Sequence, residues 1–118
     1  MCIFCKIANG EMSSNKVLEN DKFIAFHDLN PKAPVHILVI PKVHVEKFDD
    51  VSPTLMAEIT PFIKKVATTL GLEKSGYRLI TNNGEDAGQE VKHLHFHLLG
   101  GAKLTWHHVA DTDSKKFI

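Results

Sequence analysis

The sequence predicts an α+β fold, a mainly antiparallel five-stranded sheet with one long helix and a short N-terminal helix. Three observations carry this reading. Near the end of the chain, His93-Leu94-His95-Phe96-His97-Leu98 alternates imidazole and apolar side chains and stops at Gly100-Gly101. Successive side chains of a strand point to opposite faces, so this pattern describes a strand with three imidazoles in front and Leu94, Phe96 and Leu98 behind. A helix would instead turn His95 away from His93 and His97 and scatter the apolar residues around the cylinder. Between Ser52 and Gly71 the apolar residues recur at helical spacing, and short β-rich runs lie on both sides of that helix.

The chain opens with Cys2-Ile3-Phe4-Cys5-Lys6-Ile7, which holds its two cysteines. A redox pair of this spacing needs a preceding strand to set it at a helix N-terminus, and position 2 leaves no room for one. As soft ligands the two thiols supply half of a tetrahedral zinc site, and histidine is the other borderline ligand available in the sequence. Ile3, Phe4 and Ile7 form a short apolar face suited to lining a pocket. Asn9-Gly10 is a turn. Residues 16–20 and 23–28 read as two strands of a hairpin joined at Asn20-Asp21. Pro31 and Pro34 then make residues 28–34 a loop with a restricted backbone.

Val35-His36-Ile37-Leu38-Val39-Ile40 is a buried strand ended by Pro41, and a histidine inside such a strand needs a partner. Ser52-Pro53 is an N-cap followed by proline in the first turn. The stripe of Leu55, Met56, Ile59, Phe62, Ile63, Val66 and Leu70 runs on to Gly71, a C-terminal cap. Pro61 lies within that stripe, which predicts one kinked helix over 53–70 and not two. Residues 77–82 form a further strand, and a polar loop from Asn83 to Gln89 leads into the imidazole strand.

Composition bounds the function. The 118 residues fit one domain, and 14 basic side chains balance 14 acidic ones. That neutrality argues against a surface that coats nucleic acid. No apolar run approaches the roughly 18 residues of a membrane span, and no signal-like segment opens the chain, so the expected location is cytoplasmic. The unusual number is eight histidines. Three spaced about 6.7 Å apart on one strand face, at a rise of roughly 3.3 Å per residue, are costly to cover without partners.

These residues resemble the histidine triad (HIT) superfamily, whose signature is His-φ-His-φ-His-φ-φ. The likeness extends through Ala25-Phe26-His27-Asp28, Pro31, Ala33-Pro34, residues 36–42, His44, Tyr77-Arg78, Asn82, Gly88-Gln89 and Leu99-Gly100-Gly101. It implies a HIT-like fold over residues 1–106, with residues 107–118 as a C-terminal tail that varies in the family. The branch most similar is that of the nucleoside phosphoramidases. Leu-Gly-Gly after the triad favours it over the dinucleoside polyphosphate hydrolases, and His97 in place of glutamine disfavours the hexose-1-phosphate uridylyltransferases.

The resemblance implies a hydrolase of purine nucleoside phosphoramidates, such as adenosine 5'-monophosphoramidate, working through a nucleotide covalently held on His95. His97 would donate to the phosphoryl oxygens, and His36 would stand beside the triad. Asp28 would take the ribose hydroxyls, and Ile3, Phe4, Ile7, Phe26, His27 and Leu29 the base. Asn82, Gly88 and Gln89 would contact the phosphate and leaving-group side, partly through backbone N–H groups. Glu90 stands where many relatives have serine, which bears on the amine portion of the substrate. Bacterial-type relatives imply a structural zinc on Cys2, Cys5, His44 and His93, closed to substrate. The family also implies a homodimer and a purine nucleotide (AMP/GMP-type) partner. Three rival readings remain: a catalytic zinc on the triad histidines or on two of them with His36, a dinucleoside polyphosphate hydrolase, and a nucleotide-binding regulatory module with vestigial turnover.

Overall fold

The computed structural model of the chain describes residues 2–106 and 109–110. In order, the elements are α1 (Ile3–Ala8), β1 (Lys16–Glu19), β2 (Phe23–His27), β3 (Val35–Pro41), a 3-10 turn (Phe48–Asp50), α2 (Pro53–Thr69), β4 (Arg78–Ile80) and β5 (Phe96–Gly100). The strands form one five-stranded sheet among the described residues, in the order β1-β2-β3-β5-β4. Every neighbouring pair is antiparallel, so the α+β expectation is met. No helix among the described residues is long and apolar enough to cross a membrane. Apart from Val109 and Ala110, the C-terminal tail of residues 107–118 lies outside the described residues.

The pleat divides each strand between two layers. On one face Phe23, Ala25, Ile37, Val39, Phe96 and Leu98 pack with Ile59, Phe62, Ile63, Val66 and Ala67 of α2. On the other, Ile24, Phe26, Leu38 and Ile40 pack with Phe4 of α1. Both faces are therefore covered at β2 and β3, which is why these strands read as nearly continuous apolar runs and not as alternation.

The helix ends follow from local chemistry. Ser52 Oγ accepts from Leu55 N–H at 3.0 Å, and Pro53 sits where its missing N–H costs nothing. α2 continues through Pro61 as one element. It closes at Gly71, whose φ of +73° lets Leu72 N–H turn back to Ala67 O at 2.9 Å. Leu72 then enters the core with the α2 stripe.

The structure changes some predicted boundaries. The imidazole strand joins the ladder only at Phe96, so His93, Leu94 and His95 precede it. Side-chain and irregular backbone bonds replace the ladder there: Leu94 N–H donates to Val45 O at 2.6 Å, and Thr81 Oγ1 donates to His95 O at 2.8 Å. The alternation of faces still holds, since Leu94, Phe96 and Leu98 are in the α2-side core, while Phe4 of α1 meets His93 and His95 edge-on. β4 is shorter than the expected strand over residues 77–82, and the 3-10 turn carries no periodic signal in the sequence.

Candidate functional site

The α1 side of the sheet opens into a cavity of about 610 Å³. Its apolar end is built where α1 crosses β2 and β3: the Phe4 and Phe26 rings meet edge to face with centroids 5.8 Å apart. Ile3, Ile7 and Leu38 extend that wall. His36, on β3, and His97, on β5, share the same face because His97 is in register with Leu38. His95 completes the imidazole group, its ring centroid 5.1 Å from that of His97. Ile80, Asn82, Gly88 and Glu90, from β4 and the loop after it, close the remaining side.

Hydrogen bonding fixes which nitrogen of each imidazole carries its proton. The backbone N–H of Lys32 donates to His36 Nδ1 at 3.0 Å, so in neutral His36 the hydrogen is on Nε2. That Nε2–H donates to His97 Nδ1 at 2.8 Å, which puts the His97 hydrogen on Nε2. His95 works in the opposite sense: its Nδ1–H donates to the carbonyl of His93 at 2.8 Å. Its Nε2 therefore keeps a lone pair, and His95 lines the cavity. One imidazole thus offers a nucleophile and its neighbour offers a donor.

Burial disfavours the charged forms of His36 and His97. It lowers His97 to about 4, and the neighbouring His95 and His36 push in the same direction. His36 is also lowered, first by burial, against an opposing pull from the Asp28 carboxylate. Asp28 Oδ2 lies 3.5 Å from His36 Nε2, and Asp28 Oδ1 accepts from Asn30 N–H at 2.7 Å.

A second cluster lies at the other end of the imidazole stretch. Cys2 Sγ and Cys5 Sγ are 3.1 Å apart, His93 Nδ1 is 3.3 Å from Cys2 Sγ, and His44 Nδ1 is 3.3 Å from Cys5 Sγ. The two Nδ1 atoms are 3.2 Å apart. Tetrahedral zinc with its usual bond lengths sets donor separations of roughly 3.3–3.8 Å, so the four residues fit a zinc ion with little adjustment. His93 Nε2–H donates to Pro41 O at 2.8 Å, which leaves Nδ1 as the ligating nitrogen in the usual carbonyl-histidine-metal arrangement. Burial lowers His93, favouring the neutral form a metal requires. Burial and the Cys2 contact raise the Cys5 thiol, so a metal would have to displace its proton.

The three triad imidazoles do not converge on one point, because His93 faces the thiols while His95 and His97 face the cavity. The group Asp28, His36 and His97 has ligand atoms close enough to hold an ion. However, His36 Nε2 carries the hydrogen shared with His97, and a protonated nitrogen is not a ligand.

Most of the residues expected at the site line the cavity: Ile3, Phe4, Ile7, Phe26, His27, Asp28, Leu29, Asn82, Gly88, His36, His95 and His97. Two of them do so from the margin. His27 is in register with Ile37 and so falls on the opposite pleat from Phe26, and Leu29 is 97% exposed. Gln89 does not line it: its side chain accepts from Gly84 N–H and donates to Glu46 O and Val91 O. Nor are the expected backbone donors of Gly88 and Gln89 directed at a ligand, since they bond to Glu85 O and Gly84 O within the loop. These two residues shape the loop.

The sequence reading missed Lys32, whose backbone sets the His36 tautomer. It also missed Met12, Ser13, Ser14 and Asn15, which line the cavity. A polar segment between a turn and a strand has no periodicity to mark which side chains face inward.

Comparison with known proteins places these features in a family. The family model for the HIT domain matches residues 9–104. An uncharacterized HIT-like protein of Helicobacter pylori is 52% identical over 103 residues, covering 87% of this chain and 99% of its own. The crystal structure of a HIT family hydrolase from Legionella pneumophila superposes with a TM-score of 0.86 at 46% identity, over 90% of this chain and 97% of that one. A histidine triad nucleotide-binding protein from Candida albicans gives a TM-score of 0.79 at 38% identity, over 96% of this chain and 87% of that one.

Proposed function

This chain belongs to the HIT domain family, and from that premise we propose that it is a nucleotide-binding hydrolase that cleaves purine nucleoside phosphoramidates through a nucleotidyl group on His95. The observation that carries this reading is the bond from His95 Nδ1–H to His93 O, which in the neutral ring puts the lone pair on Nε2, beside the cavity. A HIT family hydrolase and a histidine triad nucleotide-binding protein among the structural neighbours support hydrolysis and nucleotide binding respectively.

In the first step the His95 Nε2 lone pair forms a bond to the α-phosphorus. The P–N bond of the substrate breaks, its electron pair leaves with the amine nitrogen, and that nitrogen takes up a proton. In the second step water oxygen bonds to phosphorus, the His95–P bond breaks with its pair returning to Nε2, and the water gives up a proton. Two moderate displacements replace one difficult one. His97 Nε2–H donates to the phosphoryl oxygens, where positioned charge stabilisation does most of the work. His36 acts through His97 by holding its tautomer, and is a positioning residue. The Phe4–Phe26 end takes the purine, Asp28 the ribose, and Asn82 and Gly88 border the phosphate.

Cys2, Cys5, His44 and His93 would hold a zinc ion with four protein ligands and no open position. Such an ion supplies structural cross-linking and no reacting group. The exposed Leu79 and half-exposed Tyr77 at edge strand β4 support pairing of two copies along that edge, which sedimentation would read as twice 13.2 kDa.

The test is incubation with an adenosine phosphoramidate, followed by an alkaline denaturing quench and peptide mapping. An adduct on His95 is expected, with turnover lowered by about three orders of magnitude or more in His95→Ala. An unmodified His95 during continuing turnover would overturn the reading.

A further inference from the structure

We propose that the Lys32 ammonium binds the anionic phosphoryl group of the nucleotide and so sets a preference for phosphorylated over neutral nucleosides; the proposal rests on the nucleotide-binding reading above and names the residue that supplies its counter-charge. The phosphoryl group of a nucleoside phosphoramidate is anionic, and that of the monophosphate product carries a charge of about −1.5 to −2 near neutral pH. Such a group needs a positive partner. Two carboxylates, Asp28 and Glu90, line the cavity, and Lys32 is the sole lysine or arginine among the described residues that do so. The His36 and His97 rings do not supply the charge, since burial holds both toward the neutral form.

Local structure fixes where this lysine stands. It lies between Pro31 and Pro34, in a backbone with little freedom, and its N–H donates to His36 Nδ1 at 3.0 Å. His36 Nε2–H in turn donates to His97 Nδ1 at 2.8 Å. The lysine is thus anchored two hydrogen bonds from the ring whose Nε2–H faces the phosphoryl oxygens. Its charge is felt there: burial is the main cause that lowers His36 and His97, and the Lys32 ammonium adds to it at both. The side chain is exposed, and Nζ donates to Asn30 O at 2.9 Å. Among the described residues it forms no ion pair. A flexible ammonium held by a neutral carbonyl gains by exchanging it for an anionic oxygen, because charge-assisted hydrogen bonds are the stronger ones.

Calorimetric titration of the full chain with AMP and with adenosine tests this, in the wild type, Lys32→Met and Lys32→Arg. Lys32→Met keeps the backbone N–H on His36, so any loss traces to the ammonium. At low salt its Kd for AMP should rise about five- to tenfold, while its Kd for adenosine stays within about twofold of wild type. Lys32→Arg should bind AMP within about threefold of wild type. In 0.5 M salt the wild type should approach Lys32→Met. With an adenosine phosphoramidate, KM should rise by a similar factor and kcat change little, because the anion is present in ground state and transition state alike. Equal AMP affinity in wild type and Lys32→Met, or an equal loss for adenosine, would overturn the role of Lys32. Lys32-dependent AMP binding without phosphoramidate cleavage would support this proposal and overturn the phosphoramidase reading. A wild-type chain that does not bind AMP would overturn the nucleotide reading, and this proposal with it.

Discussion

Three hydrogen bonds decide what the imidazoles can do. Lys32 N–H on His36 Nδ1, His36 Nε2–H on His97 Nδ1, and His95 Nδ1–H on His93 O leave one free lone pair and one free N–H at adjacent positions. These assignments require neutral rings, and burial supplies the condition by lowering His36 and His97, the latter to about 4. Linkage then gives a stability prediction. The folded rings resist protonation, while the unfolded ones titrate at their ordinary value of 6.5. Between those limits the unfolded chain binds more protons, so acid favours unfolding. The urea midpoint should hold steady above pH 7 and fall as the pH drops from about 6.5 toward about 4, with a shallower slope in His97→Asn. A flat midpoint across that range would contradict the neutral, buried assignment. The common face of His95 and His97 was legible in the sequence because alternation fixes a strand face whatever its partners are. The bonds of the Gln89 amide to Gly84, Glu46 and Val91 were not legible, because a loop side chain has no such constraint.

Between elements, the Cys2-Cys5-His44-His93 cluster joins α1 to the segment after β3 and to the entry of β5. α1 has only six residues, too few to be stable alone, and Phe4 is its sole buried side chain. A metal at the cluster would hold it down, and with it one wall of the cavity. Structural zinc in small domains contributes about 10 kcal/mol or more, on the scale of a whole domain's stability. Chelation should therefore lower the melting temperature by about 10 °C or more, as should Cys2→Ala, which would also abolish stoichiometric metal binding. A metal-free protein with an unchanged melt would show that the cluster is not a structural cross-link. The Cys-x-x-Cys spacing announced soft ligands, whereas the late start of β5 was hidden. His93 and His95 have strand-like spacing, yet the bonds of His93 to Pro41 O and His95 to His93 O take the place of ladder pairing.

Across the whole molecule, the sheet separates two tasks. α2 and its core occupy one face, built from Ile59, Phe62, Val66 and their strand partners. The other face is free to hold an apolar pocket and the imidazoles of His36, His95 and His97. The class of fold was legible from the helix stripe and the alternating strand. The order β1-β2-β3-β5-β4 was not, since β3 and β5 pair across more than fifty residues, and long-range pairing leaves no local pattern in the sequence. That pairing places His36 beside His97, and the proposed chemistry depends on it. The most direct test is to trap the reaction with an adenosine phosphoramidate midway and determine which nitrogen carries the nucleotide. The account predicts a single adduct at His95 Nε2; attachment at Nδ1 or at another residue, or turnover with no adduct on His95, would contradict it.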